Sequence, residues 1–216
     1  MLSFASGETD IEVEWFGAPD NGLSIAGPAV LLLHGADGLT FVDGYRFAAR
    51  TIAASGYHVA FVHYLDRTGD RRVNYSRLRQ DFPLWVGTVR DALSWLAQQP
   101  GVDAERLGIV GISLGAALAL ETAASDGRVR AIVDYFGPLP EDLAARRPRL
   151  PPTLILHGAR DAIVPVSQAY SIERLLKEQG TPYEIQIYPD HGHGFTGVAQ
   201  FDAAVRTARF LDRCLR

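Results

Sequence analysis

A serine between two glycines, in the segment GISLG at 111–115, is the residue of this chain best placed to act as a nucleophile. The segment follows an apolar run at 106–110 that predicts a buried strand, and it precedes a run at 116–121 that predicts a helix. A serine in such a turn is held in an unfavourable backbone conformation, so its neighbours must be small. The alternative interpretation is a serine that only caps the helix.

A serine nucleophile needs a neutral imidazole to accept its proton and a carboxylate to orient that imidazole. Two more apolar strands are predicted, at 152–157 and 183–188, and the loops after them contain Asp161 and His193. The order serine, acid, histidine is the one expected for a triad on a parallel sheet. We therefore assign Ser113 as nucleophile, Asp161 as the orienting carboxylate and His193 as base and then acid.

Two neighbouring residues compete for these roles. His191 lies two positions before His193, so both imidazoles cannot easily point into one cleft from an extended loop. The glycines on both sides of His193 favour it, because they permit the close approach that a base needs. Asp190 is a weaker rival of Asp161, since it follows Pro189 where a turn residue is expected. The remaining histidines are interpreted as structural or carry no signal: His34, His58, His63 and His157.

Backbone amides are expected to bind the negative oxygen of a tetrahedral intermediate. An apolar strand at 29–33 is followed by the turn HGADG at 34–38. The amides of Ala36 in this turn and of Leu114 after the serine are the candidate oxyanion donors.

Three residues are candidates for substrate binding. Arg71, in the loop 66–72, would bind a substrate carboxylate through its guanidinium, although an ordinary solvated loop is the alternative. Tyr64 and Tyr135 stand at strand ends, where they would either line an acyl pocket or pack in the core.

These motifs resemble the α/β-hydrolase superfamily and, within it, the dienelactone hydrolase family. The resemblance is carried by LHGADG at 33–38, GISLG at 111–115, HGARD at 157–161 and the segment 188–195. It implies oxyanion amides at Ala36 and Leu114, and the family's histidine-small-aromatic ending supports His193. Two departures stand out, because the best-known dienelactone hydrolases have a cysteine nucleophile and a glutamate in the oxyanion turn. This chain has Ser113 and Gly35 at those positions, which favours a serine esterase of broader scope.

Alternation of strands and helices predicts an α/β fold, an α/β-hydrolase fold with a mostly parallel central sheet and helices on both faces. Asp81 is expected to cap a helix, with Pro83 in its first turn. The connection 137–151 is too short for a large lid domain. Further strands are predicted at 11–16, 58–64 and 131–136, and further helices at 47–54, 168–179 and 201–215.

Composition is consistent with one globular domain over residues 1–216, with 47% hydrophobic and 21% charged residues. A formal net charge of −4 argues against a nucleic-acid or anionic-membrane partner. Residues 1–17 show no secretory pattern, no apolar stretch approaches the length of a membrane span, and the lone Cys214 cannot form an internal disulfide. We expect a cytoplasmic protein with a small-molecule substrate and no cofactor or metal.

The leading hypothesis is a serine hydrolase that cleaves small carboxylic esters through an acyl-enzyme. A hydrolase of lactones, dienelactones or short peptides with the same triad is the alternative. A third hypothesis is a non-catalytic binding protein on a hydrolase scaffold, which would predict damage to the triad; the sequence shows none.

Overall fold

The computed structural model describes residues 2–19 and 26–216. The domain predicted over 1–216 includes Met1 and residues 20–25, which lie outside the described residues. Within the described residues eight strands form one sheet in the order β1-β2-β4-β3-β5-β6-β7-β8. Their bounds are Leu2–Ser6 (β1), Thr9–Phe16 (β2), Gly27–Leu33 (β3), His58–Val62 (β4), Val102–Ile112 (β5), Val129–Tyr135 (β6), Thr153–Gly158 (β7) and Tyr183–Tyr188 (β8).

The sheet is antiparallel at one edge and parallel through the rest. Strands β1, β2 and β4 pair antiparallel, whereas every pairing from β4 through β3 to β8 is parallel. The central strands are buried on both sides, which explains their nearly continuous apolar sequences. Because parallel strands end at the same edge, the loops after β3, β5, β6, β7 and β8 converge there. The mostly parallel α/β-hydrolase architecture expected from the sequence is confirmed.

Helices cover both faces of this sheet. They span Val42–Ala54 (α1), Leu78–Leu96 (α2), Leu114–Ala123 (α3), Glu141–Arg146 (α4), Ser167–Glu178 (α5) and Gly197–Leu215 (α6). Alternate residues of β3 point to opposite faces. Leu31 belongs to the core cluster that includes residues of α2, α3 and α5, and Leu32 to the cluster that includes residues of α1 and α6. The connection from β6 to β7 contains the six-residue α4. Among the described helices, none is both long and apolar enough to cross a membrane.

Three helices begin several residues earlier than expected: α1 at Val42 rather than at residue 47, α6 at Gly197 rather than at residue 201, and α2 before Asp81. Asp81 does not cap α2, because the helix already begins at Leu78. The side chain of Asn74 accepts a hydrogen bond from the Ser76 amide and starts a short 3-10 turn that runs into the helix. Asp81 is instead buried one turn further on and accepts a hydrogen bond from Arg77 at 3.2 Å. Pro83 therefore lies inside the helix rather than in its first turn.

Candidate active site

The turn between β5 and α3 holds Ser113 in a strained conformation. Its φ and ψ are 54° and −115°, which is unfavourable for a residue with a side chain and costs about 1–3 kcal/mol. A Cβ on Gly115 would stand 2.4 Å from the carbonyl oxygen of Leu33, and one on Gly111 would stand 2.4 Å from that of Gly115. Strand and helix thus meet so closely that both flanking positions require glycine, as the sequence indicated.

Hydrogen bonds join the three residues assigned from the sequence. The Ser113 hydroxyl is 2.9 Å from Nε2 of His193, and Nδ1 of His193 is 2.7 Å from Oδ2 of Asp161. The other carboxylate oxygen of Asp161 accepts the amides of Ile163 and Val164, both at 2.9 Å. These two amides fix the buried carboxylate, and the carboxylate in turn fixes the imidazole with Nε2 free to accept the serine proton.

The His193 loop is anchored on the end of β7. The amide of Arg160 donates to the carbonyl of His191 at 2.9 Å, and the amide of Ala159 donates to that of Tyr188 at 2.9 Å. The ring of Phe136 lies against the imidazole of His193, with 4.6 Å between centroids. Backbone and aromatic contacts therefore place this imidazole from two directions.

The two rival residues lie outside the hydrogen-bonded set. The His191 ring is near the rings of Tyr188 and Phe195, each with centroids 6.1 Å away. Asp190 forms an exposed ion pair with Arg160 at 2.7 Å. The structure therefore places His193 and Asp161 in one hydrogen-bonded set with Ser113, whereas His191 and Asp190 lie at the periphery of the loop.

The turn 34–38 lies close to the serine, because a Cβ on Gly35 would stand 3.5 Å from Cβ of Ser113. Among the described residues, no acceptor is bonded to the N–H of Ala36 or of Leu114. The carbonyls of residues 34–37 instead each accept a hydrogen bond, which fixes the direction of these peptide planes. Their donors are the Tyr64 hydroxyl to His34 (3.0 Å), Nδ1 of His34 to Gly35 (2.8 Å), the Val73 amide to Ala36 (2.9 Å) and the Thr40 hydroxyl to Asp37 (2.7 Å).

Two histidines near the site are buried and neutral. Burial lowers the pKa of His34 to about 4, and its ring stacks on Tyr64 with 4.2 Å between centroids. Burial also lowers the pKa of His157, whose Nε2 donates to the carbonyl of Val164 at 2.9 Å. His34 thus braces the turn and His157 braces the Asp161 loop, as a structural interpretation requires. Elsewhere, His58 stacks on Trp15, and His63 hydrogen-bonds Glu14 at 3.2 Å.

The three candidate substrate-binding residues have different surroundings. Tyr64 has no exposed surface, and its hydroxyl donates to the carbonyl of His34, so it is a core residue that supports the turn and does not line an acyl pocket. The Tyr135 hydroxyl is 2.7 Å from that of Thr207, so it faces α6 rather than the cleft. Arg71 is exposed and lines a cavity of about 370 Å³ beside the turn 34–38, together with Arg72, Asp66 and Asp70.

Two residues of the site were not singled out from the sequence. Phe136 has a φ of 43° and contacts His193. Asp134 is fully buried in β6, burial raises its pKa to about 7, and it accepts the Gly137 amide at 2.7 Å. The carboxylate thereby holds the turn that carries Phe136. An aspartate inside the apolar run AIVDYF was the available signal, because a buried carboxyl requires a specific partner.

Within the part of the chain that the structure describes, no three His, Cys, Asp or Glu side chains are grouped so as to hold a metal ion. A serine, an imidazole and a carboxylate in relay, with free amides at the same sheet edge, can perform nucleophilic acyl transfer.

Fold and site together define a protein of α/β-hydrolase architecture. The family model described as the dienelactone hydrolase family matches residues 16–209, and the chain belongs to this family. A provisionally named carboxymethylenebutenolidase of Salmonella typhimurium is 32% identical over 111 residues, covering 47% of this chain and 41% of the relative. The matched part is therefore less than half the length of that relative.

Two solved structures have the same fold. A dienelactone hydrolase-like promiscuous phosphotriesterase from metagenomic libraries has a TM-score of 0.83 at 20% identity, over 99% of this chain and 97% of its own. The acylaminoacyl peptidase of Pyrococcus horikoshii has a TM-score of 0.82 at 16% identity, over 99% of this chain and 41% of its own. The chain thus corresponds to nearly the whole of the first protein and to under half of the second.

Proposed function

We propose that this protein is a serine hydrolase that cleaves small carboxylic esters through an acyl-enzyme. The observation that carries the proposal is the continuous relay from Ser113 through His193 to Asp161, with contacts of 2.9 and 2.7 Å. These contacts have the length that proton transfer requires. Family membership supports a hydrolase of ester or lactone bonds.

In the acylation step, the Ser113 oxygen attacks the ester carbonyl and its proton passes to Nε2 of His193. Asp161 stabilises the imidazolium through the bond at Nδ1. The negative oxygen of the tetrahedral intermediate accepts hydrogen bonds from the amides of Ala36 and Leu114. His193 then protonates the departing alcohol. Loss of one such amide donor typically costs about 10²–10³ in turnover.

In the deacylation step, water enters in place of the alcohol. His193 takes a proton from this water as the water oxygen attacks the acyl carbonyl, and the imidazolium then gives that proton to the Ser113 oxygen as the ester bond breaks and the acid is released. The same residues thus serve both halves of the reaction.

Hydrolysis of lactones or dienelactones is the second candidate, favoured by the family match over residues 16–209. Arg71 is the candidate partner of a substrate carboxylate, because its exposed guanidinium lines the cavity beside the turn 34–38, although none of the three relay residues lines that cavity. For substrates that carry such a carboxylate, Arg71→Ala should raise KM severalfold and leave KM for neutral esters unchanged. An equal change in KM for both substrate types would show that Arg71 does not recognise the substrate carboxylate.

The decisive experiment for the proposed function is pre-steady-state hydrolysis of a short-chain nitrophenyl ester. We expect a burst of nitrophenolate that approaches one equivalent per Ser113 and is absent in Ser113→Ala. Ser125→Ala, which changes an exposed helix-end serine, is the matched control and should retain the burst. A wild-type protein without turnover on esters, lactones and aminoacyl amides would favour the non-catalytic interpretation.

Location and partners remain part of the proposal. We propose a cytoplasmic location, with which a lone cysteine and a small-molecule substrate are compatible. Fractionation of the producing cells with an antibody to this chain tests the assignment, and recovery outside the cytoplasmic fraction would refute it.

A further inference from the structure

The hydroxyl of Tyr45 joins helix α1 to the turn that carries the amide of Ala36. It accepts the Gly35 amide at 3.1 Å and donates to Oδ1 of Asp37 at 2.8 Å. Tyr45 is 9% exposed, and burial followed by the neighbouring Asp37 raises its pKa, so the phenol keeps its proton at neutral pH. One oxygen thereby holds the N–H of the His34–Gly35 peptide and the side chain of Asp37, which lie on either side of the peptide that carries the Ala36 amide.

The space around Gly35 shows how closely this arrangement approaches the nucleophile. A Cβ on Gly35 would stand 2.7 Å from Oδ1 of Asp37, 3.4 Å from the Tyr45 hydroxyl and 3.5 Å from Cβ of Ser113. A side chain at this position would therefore displace the carboxylate of Asp37.

Stability alone does not account for the carboxylate. Oδ2 of Asp37 is buried and, among the described residues, has no hydrogen-bond partner. A buried carboxylate oxygen without a hydrogen-bond partner destabilises the folded protein, so the presence of Asp37 in this turn calls for an explanation. Holding Tyr45 in the one orientation that accepts the Gly35 amide supplies that explanation.

We infer that Tyr45 is a positioning residue for the oxyanion site, and that Asp37 orients its hydroxyl. Capture of the Gly35 amide by Tyr45 turns this donor away from the substrate and leaves the amide of Ala36 directed to the reacting oxygen. This inference rests on the proposed function. It goes further because it assigns a role to two residues that have no part in the triad and that contribute no donor to the oxyanion itself.

Tyr45→Phe removes a single oxygen atom and tests the inference. We expect kcat to fall about 10- to 100-fold with KM within twofold, because a misdirected amide weakens binding of the transition state more than of the substrate. The rate constant for inactivation by an organophosphonate should fall in parallel. Asp37→Asn keeps an acceptor for the phenol, so it should lose less turnover than Asp37→Leu.

Tyr57→Phe is the matched control. Tyr57 is likewise a largely buried tyrosine that donates to an aspartate, Asp212, at 2.7 Å, but it precedes β4 at the opposite edge of the sheet. Both variants lose one tyrosine–carboxylate hydrogen bond, so a general loss of stability would affect them alike. Only the Tyr45 variant should lose turnover.

Hydrogen exchange of the Gly35 amide gives a measurement that does not depend on activity. We expect exchange to become faster in Tyr45→Phe and to stay unchanged in Tyr57→Phe, because only the first variant removes its acceptor. Turnover of Tyr45→Phe within twofold of Tyr57→Phe, or unchanged exchange at Gly35, would overturn the inference. If the wild-type protein hydrolyses no ester, the proposed function fails, and the exchange comparison still decides whether Tyr45 holds the turn.

Discussion

Gly158 at the end of β7 is the point at which a single methyl group should separate His193 from Ser113. A Cβ there would stand 2.3 Å from the carbonyl oxygens of both His191 and Gly192. All the clashing atoms are backbone, so no flexible side chain can move aside. Ordinary contact begins at 3.4 Å, and the His193 loop must therefore retreat by about 1 Å.

The effect on turnover follows from that displacement. The 2.9 Å contact between Ser113 and His193 would lengthen to nearly 4 Å, which is beyond hydrogen-bond length. A misplacement of 1 Å costs about 10²-fold in rate. We expect Gly158→Ala to lose about that much kcat on a nitrophenyl ester while circular dichroism shows a folded protein.

Gly87→Ala is the control, because Gly87 lies in α2 with nothing within 4 Å of an added Cβ. This variant should keep full turnover and gain about 0.5–1 kcal/mol of unfolding free energy from alanine in a helix. A folded Gly158→Ala protein with wild-type kcat would refute the argument that β7 positions the histidine by close backbone contact.

Further predictions concern stability and the triad. Asp161→Asn should lower kcat about 10⁴-fold through loss of the imidazole tautomer, measured by steady-state hydrolysis. Ser113→Gly should abolish turnover yet raise the unfolding free energy by about 1 kcal/mol, because glycine relieves the strain at a φ of 54°. Tyr64→Phe leaves the His34 carbonyl without its donor and should cost about 1–3 kcal/mol in urea unfolding. Asp134 has a folded pKa of about 7, so its neutral form stabilises the fold below about pH 4 and this contribution is lost as the pH rises to 7. Asp134→Asn should therefore gain unfolding free energy relative to wild type between pH 4 and 7.

The sequence predicted the fold, and the three residues that it assigned to a triad are joined by hydrogen bonds in the structure, while their catalytic roles stay a prediction. Buried strands require apolar residues and the tight turn at Ser113 requires flanking glycines, so both can be recognised from residue types alone. The chain order of Ser113, Asp161 and His193 can be read directly from the sequence. Choosing His193 over His191 was also possible, since the glycines beside it permit a close approach. In the structure it is His193, and not His191, that contacts both Ser113 and Asp161.

Residues that act through contacts between distant segments were harder to predict. Tyr45 reaches the turn 34–38 from a helix, and its spacing in α1 is that of an ordinary core residue. Tyr64 stands at a strand end, which suits a pocket or the core equally, and only its full burial decides. The prediction that Asp81 caps α2 was wrong, because a 3-10 turn that is capped by the side chain of Asn74 leads into the helix at Leu78.

The most direct test of the central claim is mass mapping of the adduct formed with an organophosphonate. The account predicts a single modified peptide that carries the label on Ser113, formed at least 10²-fold more slowly in His193→Ala, because the serine depends on its base. A label on another residue, or an equal rate of labelling without His193, would contradict it.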